Sequence, residues 1–241
     1  MAPHPHHSPS RDQKLDDGRA DQRRGSASDP VGRFHVARQQ GGRPIAVSAW
    51  RITTEDHAIA DAVGGLYGGA PQLLDAGDEH AVEVLTRRDH IPVLLGGRGA
   101  VSLRMVMRGA GETFHVCDGT RFLEPAGARG SLCGCPASLA ERKAAAQAGR
   151  GPTPEIRVDF RLADLPELGV FSLASTSWEF AAELPVLAAA LEAAAVPAVG
   201  VLRYGLVEFT TRSGIAVSYR RPIVEVGRTQ VLTQNAVRLA A

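Results

Sequence analysis

The sequence lacks the features that would place it in a membrane or outside the cell. Three cysteines in 241 residues do not provide the disulfide framework of a small secreted protein. No run of about 18 apolar residues is present, so no membrane span is expected. The polar N-terminus lacks the apolar segment of a signal peptide. These absences predict a cytoplasmic protein.

The familiar catalytic motifs are missing as well. The chain contains no G-x-G-x-x-G after a strand-like segment, no P-loop, no H-E-x-x-H and no G-x-S-x-G. Its eight histidines are scattered, and Asp118 precedes a glycine, which is typical of a turn. We therefore predict that the protein is not an enzyme, and an enzyme with an unrecognised site is kept only as a third hypothesis.

A large net charge of either sign is also absent from most of the chain. The formal net charge is +1, and residues 1–44 hold eight of the 27 basic groups and five of the 26 acidic groups. Residues 45–241 therefore carry 19 basic and 21 acidic side chains, a net charge of −2. Tight binding to nucleic acid by the chain alone would need concentrated Lys and Arg to displace counterions. A protein partner fits this balance better.

Composition divides the chain into three parts. Residues 1–30 are rich in His, Pro, Ser, Arg and Asp, and they cannot bury enough surface to offset their chain entropy, so we predict a disordered tail. Residues 31–226 have the patterns of a folded α+β domain. Residues 227–241 form a C-terminal segment without a clear pattern.

The clearest structural pattern lies at residues 154–195. Apolar and polar residues alternate over 156–161 and again over 170–175, as in half-buried strands. The LPELG between them predicts a tight turn, because Pro166 fixes its own φ and Gly169 can adopt a positive φ. The pattern predicts a strand pair joined by this turn.

A helix should follow the strand pair. Thr176 and Glu179 have the S/T-x-x-E spacing of a capping box. Pro185 predicts either a kink or two helices that meet near Leu184. The apolar stripe that would pack this helix on the sheet consists of Phe180, Leu184, Leu187 and Leu191.

The remaining patterns complete an α+β fold with mostly antiparallel sheet or sheets and two main helices packed on them. The second main helix should open near Thr54 and Glu55 and end at Gly68 or Gly69. A short exposed helix is expected over 138–149, and Pro222 indicates an edge strand or a bulge. Further strands are predicted around 34–37, 45–52, 82–84, 91–95, 101–107, 199–208 and 216–226.

The cysteines lie in a segment of about residues 112–137 that is rich in Gly, Pro and Arg, here called the cysteine segment. Zinc accepts three cysteines and one histidine in a tetrahedron, and a loop without its own core gains most from such a clamp. Unligated, reduced cysteines are the alternative, and a catalytic thiol is a third. The candidate ligands, spaced H-x-C and C-x-C, are His115, Cys117, Cys133 and Cys135.

Interface anchors are often exposed aromatic and arginine side chains. The sequence does not select among the candidates, and Trp178 can equally be buried at the start of its helix. The candidates are Trp178, Tyr204, Tyr219, Arg220 and Arg221.

A family resemblance rests on the order of several stretches. They are FHVARQQGGRP, WRITTEDHAIADAVGGLYGG, HIPVLL, CDG, CGCP, PEIRVDFRLADLPELGVFSLASTSWEFAAELPVL and YRRPIVEV. Over about residues 33–226 the chain resembles the recombination directionality factors that work with the large serine integrases of actinophages, the phiC31-type group. Where that family often has a cysteine three positions before the cysteine of CDG, this chain has Phe114, so either His115 substitutes as a ligand or the metal is lost.

The resemblance implies a regulator without catalytic residues of its own. Such a factor binds a large serine integrase and switches it from attP × attB integration to attL × attR excision, while the serine of the integrase cleaves the DNA. It implies contact with DNA only through the integrase, and it leaves zinc at the four ligands as the possible cofactor. A zinc-dependent nucleic-acid-binding accessory protein of a phage or prophage is the alternative.

Overall fold

The computed structural model describes residues 29–40, 43–74, 81–109, 112–211 and 214–227. The predicted disordered tail therefore lies outside the described residues except for its last two positions. Of the C-terminal segment, only its first residue, Gly227, is described.

The described part contains twelve strands and three α-helices, numbered here in chain order. The helices are α1 (His57–Tyr67), α2 (Leu139–Gln147) and α3 (Trp178–Ala193). The strands are β1 (Gly32–Gln40), β2 (Arg43–Thr54), β3 (Pro71–Leu73), β4 (Val82–Leu85), β5 (His90–Leu95), β6 (Val101–Gly109), β7 (Glu112–Cys117), β8 (Phe122–Glu124), β9 (Thr153–Leu162), β10 (Phe171–Ser175), β11 (Ala198–Thr210) and β12 (Ala216–Val226).

All twelve strands belong to one sheet. Its main path runs β12-β11-β5-β9-β10-β1-β2-β4-β3, and a branch leads from β9 through β6 and β7 to β8. The β1–β10 pair is parallel, whereas the other pairs are antiparallel. The predicted α+β class with a mostly antiparallel sheet is confirmed. Pro222 lies on β12, at one end of the main path, as predicted for an edge strand.

The core forms where alternating side chains of β9 and β10 meet the Phe34 ring of β1. The β9 side chains of Ile156, Val158 and Phe160 are all buried. The Phe34 ring lies edge-on to Phe160 at a centroid distance of 5.1 Å and to Phe171 at 5.8 Å. Each such side chain contributes about 1.5–3 kcal/mol through burial, so the predicted strand pair anchors the domain.

Helix α3 packs on this sheet through the predicted apolar stripe, whose four members are all buried. Its cap differs from the prediction. Ser177 is the N-cap, because its Oγ accepts from the Phe180 N–H at 3.2 Å, and the capping box from Thr176 is therefore wrong by one residue. The alternative of two helices near Leu184 is also wrong, since one helix continues through the exposed Pro185.

Helix α1 starts slightly later than the sequence indicated. Thr54 still belongs to β2, and Asp56 caps the helix by accepting from the Ala58 N–H at 2.8 Å. The helix ends at Tyr67 and Gly68 is its C-cap with φ of +76°, which agrees with the predicted end at Gly68 or Gly69. Among the described residues, none of the helices has the length and apolar character needed to cross a membrane.

Candidate functional site

The four side chains predicted as metal ligands lie together in the structure. Their ligand atoms are all within 4.8 Å of one another. The Cys135 Sγ lies 3.7 Å from the Cys117 Sγ and 3.6 Å from the His115 Nε2. Cys133 completes the group, and all three cysteines are free thiols. This cluster can hold a metal ion.

Local geometry explains the unusual H-x-C spacing. His115 and Cys117 lie two apart on β7, and residues two apart on a strand project to the same face. The other two ligands come from the returning loop, which is joined to the same region by a hydrogen bond from the Cys133 N–H to the Thr120 carbonyl at 2.9 Å. One intervening residue on a strand therefore brings both ligands to the same face, as a wider spacing does for ligands in a turn.

The CDG sequence forms a tight turn beside the ligands. The Asp118 Oδ1 accepts from the backbone N–H groups of Thr120 and Arg121, both at 2.7 Å. These bonds lower the pKa of Asp118. The Gly119 N–H donates to the Cys117 Sγ at 3.3 Å. Asp118 thus forms the turn, as the sequence predicted, and its carboxylate accepts hydrogen bonds from the backbone.

The surroundings set the protonation of the ligands. Burial raises the pKa of Cys117 to about 12, burial also raises the pKa of Cys135, and burial lowers the pKa of His115. Burial would likewise raise the pKa of Cys133, but hydrogen bonds from the Cys135 backbone N–H and the neighbouring thiols outweigh it and lower that pKa. A buried thiol with a raised pKa is the opposite of an activated nucleophile, which disfavours a catalytic Cys117.

The candidate interface residues have unequal exposure. Tyr204 is buried and its hydroxyl donates to the Val36 carbonyl at 2.6 Å. Trp178 is half-buried. Arg220 donates to the Tyr204 carbonyl at 3.0 Å, and Arg221 pairs with a glutamate of α3. Tyr219 is therefore the exposed aromatic side chain of this set, at 39%.

Tyr219 belongs to an exposed arm, defined here as residues 205–211 and 214–221, the outer part of the β11–β12 hairpin. Its ring packs edge-on against Phe209 at 6.4 Å. The strand register places Val207 opposite Tyr219 and Phe209 opposite Val217, so four uncharged side chains share one face. Large apolar side chains exposed on the arm are Leu206, Phe209, Ile215 and Tyr219.

Sequence reasoning missed this arm. Alternation along VEFTTRSGIAVSY is the same whether or not another layer covers the hairpin. The concentration of apolar residues near a turn was the available signal, and it does not distinguish a packed hairpin from a free one.

The chain is similar to a known protein family in its sequence. A sequence model described as Gp3-like, recombination directionality factor-like, matches residues 18–215. No solved structure gives a significant match. The matched range includes the metal-ligand cluster and most of the twelve-stranded sheet, and it agrees with the resemblance found in the sequence. The chain belongs to the Gp3-like family of recombination directionality factor-like proteins.

Proposed function

We propose that this protein regulates site-specific DNA recombination by binding a large serine integrase and switching it from attP × attB integration to attL × attR excision. The observation that carries the proposal is the family match over residues 18–215. The protein would act in the cytoplasm, in a phage or prophage system, and the integrase would supply all the catalytic groups.

In physical terms such a factor is an allosteric ligand. It can shift the integrase only by as much as its affinity differs between the two arrangements of the integrase on DNA. Little direct contact with DNA is needed for this. The net charge of −2 over residues 45–241 supports indirect contact, because a chain that bound DNA alone would concentrate basic side chains.

The arm is the surface that we propose for contact with the integrase. Phe209 and Tyr219 are 49% and 39% exposed and lie against each other, and clustered exposed apolar side chains commonly mark protein interaction sites. Their face also holds Val207 and Val217. The charged Arg221 on the same face is paired with Glu183 of α3, so the exposed part of the face suits an apolar protein surface better than a phosphate backbone.

A pair of recombination reactions tests the proposal. Purified chain is added to its cognate large serine integrase, with either attP and attB or attL and attR DNA. We expect excision to become efficient and integration to be inhibited. Absence of both effects would refute the proposal. A mobility-shift assay without integrase is the companion measurement, and salt-sensitive DNA binding by the chain alone would instead favour a nucleic-acid-binding protein.

We further propose that the cluster binds zinc through His115, Cys117, Cys133 and Cys135. Tetrahedral zinc, with bonds of about 2.3 Å to sulfur and about 2.05 Å to nitrogen, separates two sulfurs by about 3.8 Å and a sulfur from a nitrogen by about 3.6 Å. Two distances in the cluster match these values: Cys117 Sγ lies 3.7 Å from Cys135 Sγ, and Cys135 Sγ lies 3.6 Å from His115 Nε2. All four ligand atoms lie within 4.8 Å of one another. Four protein ligands would leave no open position, as in structural zinc sites.

Zinc would stabilise the cysteine segment by joining β7 to the loop before α2. The ligands must give up their thiol protons to bind it, and a cation among them would favour the thiolates against the effect of burial. Metal analysis of the purified chain, with Cys135→Ser as the comparison, tests this: one zinc per chain is expected for the native protein and little for the variant. A native chain without bound zinc after refolding in zinc would refute it.

A further inference from the structure

Arg142 of α2 lies against both turns that carry the metal ligands. Its Nη2 donates to the Gly119 carbonyl at 2.8 Å and to the Ala137 carbonyl at 3.3 Å, and its Nε donates to the Pro136 carbonyl at 2.6 Å. Gly119 follows the ligand Cys117 by two residues, and Pro136 directly follows Cys135. One guanidinium thus joins the two halves of the cluster from outside.

The turn after Cys117 is shaped to admit this guanidinium. A Cβ at Gly119 would lie 2.2 Å from the Arg142 Nη1, so a larger residue there would displace the guanidinium, and the backbone there has φ of +97°. The planar guanidinium presents several donors in a fixed fork, whereas a lysine offers one compact ammonium. The three carbonyls therefore match arginine and not positive charge alone.

Besides Arg142, helix α2 is held by Leu139, which is partly buried and packs against the core, and by a few polar contacts. None of its residues is buried. Ser138 caps it by accepting from the Glu141 N–H at 3.2 Å, and Lys143 pairs with Glu179 at the start of α3 at 2.9 Å. The contacts of Arg142 are thus the main link between α2 and the cluster.

We propose that Arg142 is a positioning residue that fixes the two ligand-bearing turns at the separation a metal ion requires, and that metal binding in turn fixes α2. The inference rests on the proposed zinc site. It assigns to Arg142 the role that outer-shell hydrogen bonds play in other metal centres, where their loss costs roughly 10–100-fold in metal affinity. The hydrogen bonds of Arg142 go to backbone carbonyls of the two turns.

The test compares the full-length variants Arg142→Lys and Arg142→Gln with the native chain. Lys143→Gln is the matched control, since it removes a charge from the adjacent position of the same helix without touching the cluster. Zinc affinity is measured by competition with a chromophoric chelator, and the visible spectrum of bound Co²⁺ reports the tetrahedral geometry. We expect affinity to fall by roughly 10–100-fold in both Arg142 variants, with a tetrahedral spectrum retained and with the control within about twofold of native.

Hydrogen exchange in chelator separates this inference from the zinc proposal. Without metal, the amides of residues 118–121, 133–135 and 137 should exchange faster in Arg142→Gln than in the native chain, while those of β9 and β10 should not change. Native zinc affinity in both Arg142 variants would overturn the inference and leave the zinc site intact. If the native chain binds no zinc, the zinc proposal fails, and unchanged exchange in Arg142→Gln would overturn the positioning role as well.

Discussion

The sheet around β9 and the cysteine segment are held together by different forces. Along β9, every second residue from Pro154 to Leu162 is buried, and α3 covers that sheet with a further apolar stripe. Between residues 115 and 137, the buried apolar side chains are Val116 and Cys117 alone. The cysteine segment is held together instead by its turns, by hydrogen bonds from the guanidinium of Arg142, and by a cluster of four side chains that can bind a metal ion.

This difference predicts two kinds of sensitivity. The sheet is stabilised by burial of the chain's own apolar side chains, so it should be stable without any ligand. A segment with little core depends on specific polar contacts, and a bound metal would contribute directly to its folding. Substitutions in the sheet should therefore change global stability, whereas chelation should act locally.

The largest effect is expected from the centre of the sheet. Replacing Phe160 with alanine removes a ring that is 2% exposed and packs on Phe34, and it should lower the free energy of unfolding by about 3–5 kcal/mol. Ala174→Ser, at an exposed position of β10, serves as the control and should change it by less than about 0.5 kcal/mol. Denaturant titration measures both, and a small loss in Phe160→Ala would remove the contrast between the two regions.

Acid should weaken the sheet through His35. Burial, together with the charges of Arg51 and Arg33 and against that of Glu83, lowers the pKa of His35 to about 4 in the folded protein, from about 6.5 when unfolded. The unfolded chain therefore takes up a proton first, and stability should fall by about 1–3 kcal/mol between pH 6.5 and pH 4 and level off below. His35→Gln, measured in chelator, should flatten this part of the profile, and an unchanged slope would exclude His35 as its source.

The cap of α3 gives a smaller effect with a sharp internal control. Ser177→Ala removes the acceptor for the Phe180 N–H and should destabilise the protein by about 1 kcal/mol. Thr176→Ala, one residue earlier at an exposed position, should change stability by less than about 0.5 kcal/mol. Thermal unfolding of the two variants side by side decides which residue is the cap, and equal losses would contradict the structure.

The arm should show the smallest change in stability and a clear loss of function. Phe209 and Tyr219 are 49% and 39% exposed, so Phe209→Ser with Tyr219→Ser should lower stability by no more than about 1 kcal/mol while abolishing the switch to excision. Glu208→Gln, from the opposite face of the same strand, is the control. Full excision activity in the double variant would exclude the arm as the integrase contact.

Sequence reasoning succeeded where the physical cause is local. The alternation of Ile156, Val158 and Phe160 and the stripe on α3 follow from the residue order alone. The strand face shared by His115 and Cys117 was not predicted, because the cysteine segment was assigned to a loop whereas residues 112–117 form β7. The cap was misplaced because STS offers adjacent hydroxyls and only the helix start selects Ser177. The correct predictions needed no knowledge of distant parts of the chain.

The rest depended on contacts between distant residues. The parallel pairing of β1 with β10 joins segments more than 130 residues apart, and no local pattern indicates it. Arg142 reaches Gly119 across 23 positions, and its neighbours on α2 suggest only an exposed helix. The exposure of the arm could not be predicted either, because it depends on whether another part of the fold packs on the hairpin, and in the described residues none covers it.

The most direct test of the central claim removes catalysis from the measurement. An integrase whose catalytic serine is replaced by alanine can still bind and pair its DNA sites, so the fraction of paired complexes reports the arrangement alone. If the protein is an allosteric regulator, adding it should raise the paired fraction of attL with attR and lower that of attP with attB. Equal fractions with and without the protein, for both pairs of sites, would contradict the account.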